Sequence, residues 1–294
     1  MRERVIQEVA EVLLNCNYLS VFCTSMHSCF DILAKRERAL LVKVLENIDA
    51  FTRQQAEDMR KIAGMLGGEE FLVGERSNEY KLVDGVLYER HKVPAGTVET
   101  FRGIVEGEEL PKMRKRRELL VDIDGEKMVR RRGEMKLSLE ELARKSGISK
   151  ETLYRYEHGK IYASEENARR IEEILGVELR RFINPFENKQ KFVAEETLIS
   201  MLGFESVKTK TAPFDIVGKE RKLLFAGEER DRRTMRKRAE VYADVMEIFG
   251  SGSCFILNKY KKDSIAGIPV VRRDEISEIK RARELMKLIE ERGG

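Results

Sequence analysis

The two ends of this chain repeat one another, and that constrains the fold more than any other feature. Cys29-Phe30-Asp31-Ile32-Leu33-Ala34-Lys35, followed by Ala39-Leu40-Leu41-Val42, returns as Pro213-Phe214-Asp215-Ile216-Val217-Gly218-Lys219, followed by Lys222-Leu223-Leu224-Phe225. On this alignment the connecting turn is one residue shorter in the second copy. Repetition at this scale implies two units of one design with something different between them.

The surrounding pattern repeats as well. An amphipathic helix is expected before each copy, with Val5, Ile6, Val9, Val12 and Leu13 on one face in the first and Val193, Leu198, Ile199 and Leu202 in the second. Helices are expected after each copy, over Ala50 to Leu66 and Arg232 to Phe249, closed by Gly67-Gly68 and Gly250; Asp231 is positioned to cap the latter. A later pair echoes too: Lys92-Val93-Pro94-Ala95 with a helix over Thr97 to Val105, and Gly267-Ile268-Pro269-Val270-Val271 with one over Asp274 to Ile289. The runs Phe30 to Leu33, Ala39 to Val44, Phe214 to Val217 and Lys222 to Phe225 are short, apolar and bounded by turns. They predict buried strands of α/β sheets.

A chain of 294 residues exceeds what one core usually organises. Hydrophobic residues make up 41% and charged residues 37%, which suits a globular protein with a very ionic surface. Abundant Lys, Arg and Glu with no Trp resembles hyperthermophile composition, in which ion-pair networks cost less when hot. No apolar run approaches the roughly 18 to 20 residues of a membrane span, and the first residues do not form a signal peptide, so a cytoplasmic location is expected and no membrane contact. Cys16, Cys23, Cys29 and Cys254 lack CxxC spacing and read as small buried hydrophobes rather than a disulfide or metal site, the nearest approach to a ligand cluster being Cys23 to Cys29 with His27 between. The net charge of +4 is too small to imply nucleic-acid binding by itself. Its distribution is more informative, because Lys112 through Lys160 holds fifteen Lys and Arg against nine Asp and Glu.

Pro111 to Arg117 is a basic, proline-started run that reads as a linker, and a second boundary falls near Asn184-Pro185. The expected organisation is an α/β domain at 1–110, a linker at 111–123, an all-helical domain at 124–183 and a second α/β domain at 184–294. Within the middle, Met128 and Val129 lie on a helix ending near Gly133. Ser138-Leu139-Glu140-Glu141 is a capping box that starts the next helix, which carries Leu142 and Ala143 inward and stops at Gly147. Ser149 caps a third helix with Leu153 and Tyr156 inward, closed by Glu157-His158-Gly159-Lys160. Ser164 caps a fourth through Ile171, Ile174 and Leu175 to Gly176.

Leu137-Ser138, Glu140-Glu141-Leu142-Ala143, Gly147, Ser149 to Tyr156 and Glu157-His158-Gly159-Lys160 resemble the cro/cI helix-turn-helix (HTH) family, with the motif at 138–157 and a recognition helix at 149–158. One departure is Leu139, which stands where many members carry a glutamine that braces phosphate and base contacts. The resemblance implies binding of double-stranded DNA with that helix in the major groove. It makes Lys150, Glu151, Thr152 and Arg155 the candidates for base edges. Ser149, Arg130, Arg131, Arg132, Lys136, Lys145 and Lys160 are the candidates for phosphates. A homodimer on paired half-sites is the usual arrangement of the motif. A helical hairpin used only for packing is the bland alternative, and Glu151 and Arg155, four apart, could simply pair with each other.

Asp31 and Lys43 on neighbouring strands resemble the restriction-endonuclease-like fold, in which an aspartate, a second acidic residue and a lysine bind metal and activate water. The acidic position two before Lys43 is Leu41, and in the second copy Ala226 or Gly227 falls where the lysine should be. Glu8 or Glu11 could supply a displaced carboxylate; otherwise Asp31 and Asp215 pair at strand ends with Lys35 or Lys219. No catalytic, metal or cofactor residues are therefore assigned and no enzyme is expected; the alternative is a metal-dependent nuclease or a repair or recombination factor. Ligand or protein sensing by the flanks also stays open. The Arg232 to Arg238 run reads as a solvated face, an added phosphate-contacting patch or a subunit contact. End to end, this order resembles an archaeal family of HTH-type transcriptional regulatory proteins. That resemblance implies two degenerate, duplicated nuclease-like α/β domains flanking a helical cro/cI-type domain, and it implies a sequence-specific regulator of transcription.

Overall fold

A computed structural model describes residues 2–24, 26–107, 112–115, 118–181, 185–186, 193–229 and 232–293, without the side chains of 112–115, 118 and 232–233. The first sheet begins after helix α1 (Arg2–Asn15) with strands β1 (Leu19–Phe22), β2 (Ile32–Lys35) and β3 (Ala39–Asn47). Helix α2 (Arg53–Leu66), β4 (Glu69–Arg76), β5 (Val86–Arg90), β6 (Val93–Gly96) and α3 (Val98–Glu106) follow. Helix α2 starts later than the sequence pattern suggests because Thr52 and Gln55 form a capping box; Gly67, at φ +62°, ends it.

The middle segment comprises β7 (Lys112–Lys115), β8 (Glu118–Ile123), α4 (Gly125–Glu134), α5 (Leu139–Ser146), α6 (Lys150–Glu157), β9 (Ala163–Ser164), α7 (Glu165–Leu175) and β10 (Arg180–Arg181). It is not all helical as expected: β8 pairs with β9 and β10 and turns Val121 and Ile123 into the same core that the helices cover. The stretch read as a linker holds β7, which pairs in parallel with β5, so the first sheet runs on into this segment. Pro111, Arg116 and Arg117 of that run, and Asn184 at the second boundary, lie outside the described residues.

The last segment carries β11 (Glu205–Lys208), β12 (Ile216–Lys219), β13 (Leu223–Glu228), α8 (Arg232–Phe249), β14 (Gly252–Leu257), β15 (Ser264–Ile265), β16 (Ile268–Arg272), α9 (Arg273–Glu278) and α10 (Ala282–Gly293). Its strand order, β11-β12-β13-β14-β16-β15, has the same sequence of antiparallel and parallel pairings as β1-β2-β3-β4-β6-β5.

Three expectations are corrected here, the first by hydrogen-bond register. Ile32 faces Val42 and Ile216 faces Ala226, while Lys35 faces Ala39 and Lys219 faces Leu223, so the two turns have equal length and Lys43 corresponds to Gly227. The helix expected around Val193 to Leu202 is instead irregular chain with a single 3-10 turn at Ser200–Leu202, because Glu195 N–H donates to Ser206 O at 2.7 Å and holds the segment alongside β11. The helix expected over Asp274 to Ile289 breaks into α9 and α10, the Glu284 carboxylate accepting from Lys280 N–H at 2.9 Å at the junction. Asp231, the expected cap of α8, lies outside the described residues.

The two α/β units share one core. Helix α2 lies over β11 and β12, and reciprocally α8 lies against β1. Phe30 stacks on Phe214 with centroids 6.3 Å apart, and Cys29 N–H donates to Thr211 O at 2.8 Å. Buried Asp58 on α2 accepts from Lys210 N–H, Thr211 N–H and the Thr211 hydroxyl at 2.9, 2.8 and 2.7 Å. Cys23, Cys29 and Cys254 are buried, and burial raises the Cys29 and Cys254 thiols to about 12.

Candidate nucleic-acid interface and the two aspartate centres

Local chemistry sets each helix of the middle segment. The Asp124 carboxylate accepts from Lys127 N–H at 2.9 Å to start α4. Ser138 and Glu141 close a capping box on α5: Glu141 accepts from Ser138 N–H at 2.7 Å and Ser138 Oγ from Glu141 N–H at 3.1 Å, which holds the Glu141 carboxyl below its usual range. Gly147 makes the turn at φ +70°, a conformation that costs a Cβ-bearing residue. Ser149 Oγ then accepts from Thr152 N–H at 3.1 Å and starts α6. Leu142, Ile148, Leu153 and Tyr156 pack with Met128, Ala168, Ile171 and Leu175 into one core, with half-buried Leu139 against its edge.

This packing fixes which face of α6 is outward. Glu151 and Arg155 are exposed, and among the described residues no ion pair joins them. Lys150 is exposed and pairs with Glu140 of α5, while Thr152 is half-buried with its hydroxyl on Ser149 Oγ at 2.8 Å. Tyr154, which is not among the sequence candidates, shares the outward face at 44% exposure. Its ring lies 4.0 Å from that of His158, and Lys160 Nζ lies 5.1 Å from its centroid. Positions 151, 154, 155 and 158 share one helix face by spacing, which is the signal in the sequence for Tyr154.

The candidate phosphate contacts divide. Arg130, Lys136 and Lys145 are exposed, as is Lys160. Arg132 is spent inside the fold: Nε and Nη2 donate to the Glu157 carboxylate at 2.7 and 3.2 Å and Nη1 to Leu137 O at 2.9 Å, with the Glu157 side chain only 4% exposed. Arg131 clamps α4 to the end of α7 by donating to Leu175 O at 2.9 Å, and also pairs with Glu134. The Ser149 hydroxyl serves the helix start, at the end where the backbone amides face outward.

Asp31 and Asp215 sit at equivalent places. Asp31 is fully buried, and its carboxylate accepts from Arg2 Nη2 at 2.6 Å, Lys43 Nζ at 3.0 Å and Val44 N–H at 2.8 Å. Lys43 also donates to Ser28 O at 2.7 Å. In the second unit Asp215 accepts from Glu228 N–H at 2.7 Å and from Arg238 Nη2 at 2.5 Å. Arg238 is buried and further donates to Pro213 O and Tyr242 Oη at 2.5 and 3.0 Å. A Cβ on Gly227 would lie 2.5 Å from Tyr242 Oη and 2.7 Å from Arg238 Nη2, so the missing side chain leaves the room that the guanidinium fills. Burial pushes the Tyr242 phenol above its usual range. Each carboxylate thus has a guanidinium against it, where a metal-dependent nuclease needs a divalent cation and a second acid. Among the described residues no three His, Cys, Asp or Glu side chains converge in a group able to hold a metal. Glu8 and Glu11 lie on the outer side of α1, whose buried face is Val5, Ile6, Val9, Val12 and Leu13.

Residues 2–110 match the model of a PD-(D/E)XK superfamily domain, and residues 128–182 match that of a helix-turn-helix. No solved structure matches the chain at a significant level. Among the described residues no helix is long and apolar enough to cross a membrane. A protein of Methanothermobacter thermautotrophicus named "Putative HTH-type transcriptional regulatory protein" is 36% identical, over 99% of this chain and 97% of its own length. Relatives of the same name from Pyrococcus horikoshii and Thermococcus kodakarensis are each 34% identical, over 98% of this chain and 97% and 96% of theirs. Aligned with these proteins over nearly its whole length and theirs, the chain belongs to the archaeal family of HTH-type transcriptional regulatory proteins.

Proposed function

We propose that the protein regulates transcription by binding a specific duplex DNA sequence, with the recognition helix 149–158 in the major groove. The observation that carries this reading is the outward face of α6, where Glu151, Tyr154 and Arg155 stand exposed beside Lys150 while Leu153 and Tyr156 fix the helix from behind. Lys150, Glu151, Thr152 and Arg155 meet base edges, and Tyr154 and His158 extend that face. Ser149, Arg130, Lys136, Lys145 and Lys160 meet phosphates; Arg131 and Arg132 hold the helices in register instead. A homodimer places two such helices about one DNA turn apart.

The domains in this reading are 1–110, a basic joining segment at 111–123 that carries β7 and β8, the HTH domain at 124–183 and 184–294, the last a second nuclease-like unit descended with the first from one ancestor. Equal hairpin lengths and the matched strand order support that descent. Both flanks are inactive as nucleases, a reading supported by the guanidinium held against each aspartate. Selection of fragments bound from genomic DNA, with and without magnesium, tests the whole: a recurring motif, enriched equally in both conditions and left uncut, is the expected result.

A further inference from the structure

The basic run that opens α8 divides between two tasks. Arg238 turns inward to Asp215, whereas Arg236 and Lys237 are exposed. Because β13 and β14 are parallel, with Glu228 opposite Ile256, the segments that leave their carboxyl ends emerge side by side. One leads into α8 and the other is the loop 258–263; Asn258 Nδ2 donates to Glu229 Oε2 at 3.2 Å between them. That loop carries Lys259, Lys261 and Lys262, all exposed.

The acids of this edge are largely neutralised from within. Glu228 pairs with Arg273 at 2.8 Å, Asp263 with Arg272 at 2.9 Å, and Glu275 with Arg272 and Arg292 at 3.0 and 2.6 Å. Tyr260 O accepts from Arg272 Nε at 2.9 Å and pins the loop. Among the described residues, Arg236, Lys237, Lys259, Lys261 and Lys262 enter no ion pair. Among the described residues, exposed Glu229 and Asp274, and exposed Glu240 one turn along α8 from Arg236, are set against these five cations, a positive balance.

We propose that this carboxyl edge of the second sheet is a further contact surface for the DNA backbone, engaging phosphates outside the half-site read by α6. Its chemistry is sequence-blind: lysines and an arginine without internal partners exchange condensed counterions for phosphates. The proposal rests on the α6 reading only in that duplex DNA is the ligand already at hand. An acidic protein surface would satisfy the same charges and is an outcome of the test.

The experiment uses the full chain and random-sequence duplexes of about one turn and about four turns, ~10 and ~40 base pairs, titrated across salt concentration. Neutralising all five cations (Arg236→Ala, Lys237→Ala, Lys259→Ala, Lys261→Ala, Lys262→Ala) should lower the slope of log affinity against log salt by about 3 to 4 on the long duplex and leave the short one unchanged. The charge-keeping variant Lys259→Arg, Lys261→Arg, Lys262→Arg should retain the full slope, and thermal melting checks that each variant folds. An unchanged slope on the long duplex overturns the proposal and points to an acidic protein partner. Equal losses on both duplexes also overturn it, because the cations would then act at the α6 site. Failure of the α6 reading is distinguishable, since it shows as no recurring motif in the genomic selection while the slope difference between the random duplexes persists.

Discussion

The guanidinium of Arg2 donates to the buried carboxylate of Asp31 at 2.6 Å, and Lys43 donates to the same oxygen at 3.0 Å. Two cationic side chains and the Val44 amide therefore surround a group that a nuclease would hold open for metal. A protonated guanidinium repels a second cation and occupies the lone pairs that would bind it. Incubation of the wild-type protein and Arg2→Ala with supercoiled plasmid and magnesium should give no nicking in either. The Arg2→Ala variant should lose about 1 to 3 kcal/mol of stability in chemical denaturation, less than a fully buried pair because Arg2 is 40% exposed and Asp31 keeps Lys43.

In the second unit the pair is deeper. Arg238→Ala leaves Asp215 buried without its guanidinium and should cost about 3 to 5 kcal/mol. Gly227→Ala should cost roughly 1 to 3 kcal/mol, because the new methyl meets Tyr242 Oη and the Arg238 guanidinium. Thermal and urea denaturation of the two variants measure both effects; a neutral Gly227→Ala would show that this site has slack.

Arg132 separates a structural from a DNA-binding role. Arg132→Ala strips the buried Glu157 carboxylate of its partner and should lower the melting temperature, while the folded fraction binds random duplex with an unchanged salt slope. By contrast, neutralising Lys145 should lower the slope by about 1 and leave melting unaltered. Salt titrations followed by fluorescence anisotropy distinguish the two patterns.

Acid sensitivity of the C-terminal end follows from Glu275. Hydrogen bonds from Arg292, then from the Arg272 backbone and side chain, hold its carboxyl at about 2, below the usual 4.5. A depressed carboxyl adds stability that is complete above its unfolded value and disappears as the pH falls from about 4.5 toward 2. Arg292→Ala should therefore destabilise the chain at neutral pH and flatten its stability profile across that acid window. Urea titrations at stepped pH values give the profile directly.

Much of this architecture is legible in the sequence because its signals are local. Ser138 with Glu141, Gly147, Ser149 and Gly176 fix helix ends by nearby backbone chemistry, and each stands where the pattern puts it. The hairpin of the second unit is misread by one residue because its leucine pair, Leu223-Leu224, matches Leu40-Leu41 by identity, whereas ladder hydrogen bonds set Leu223 opposite Lys219. Arg2 and Arg238 were invisible as partners of Asp31 and Asp215, since contacts across so many residues leave no periodic trace. The shared core is hidden for the same reason: neither Phe30 nor Asp58 shows in sequence that its neighbours come from the other unit.

The central claim is that α6 reads DNA sequence. Selection of fragments from a genomic library by the wild-type chain and by Arg155→Ala, sequenced in parallel, tests it most directly. Wild type should enrich one recurring motif, and Arg155→Ala should enrich the same motif with a single base pair degenerate, at a loss of about 1 to 3 kcal/mol. Recovery of no motif by the wild type, or an identical motif at equal affinity from Arg155→Ala and a companion Glu151→Ala variant, would contradict the account.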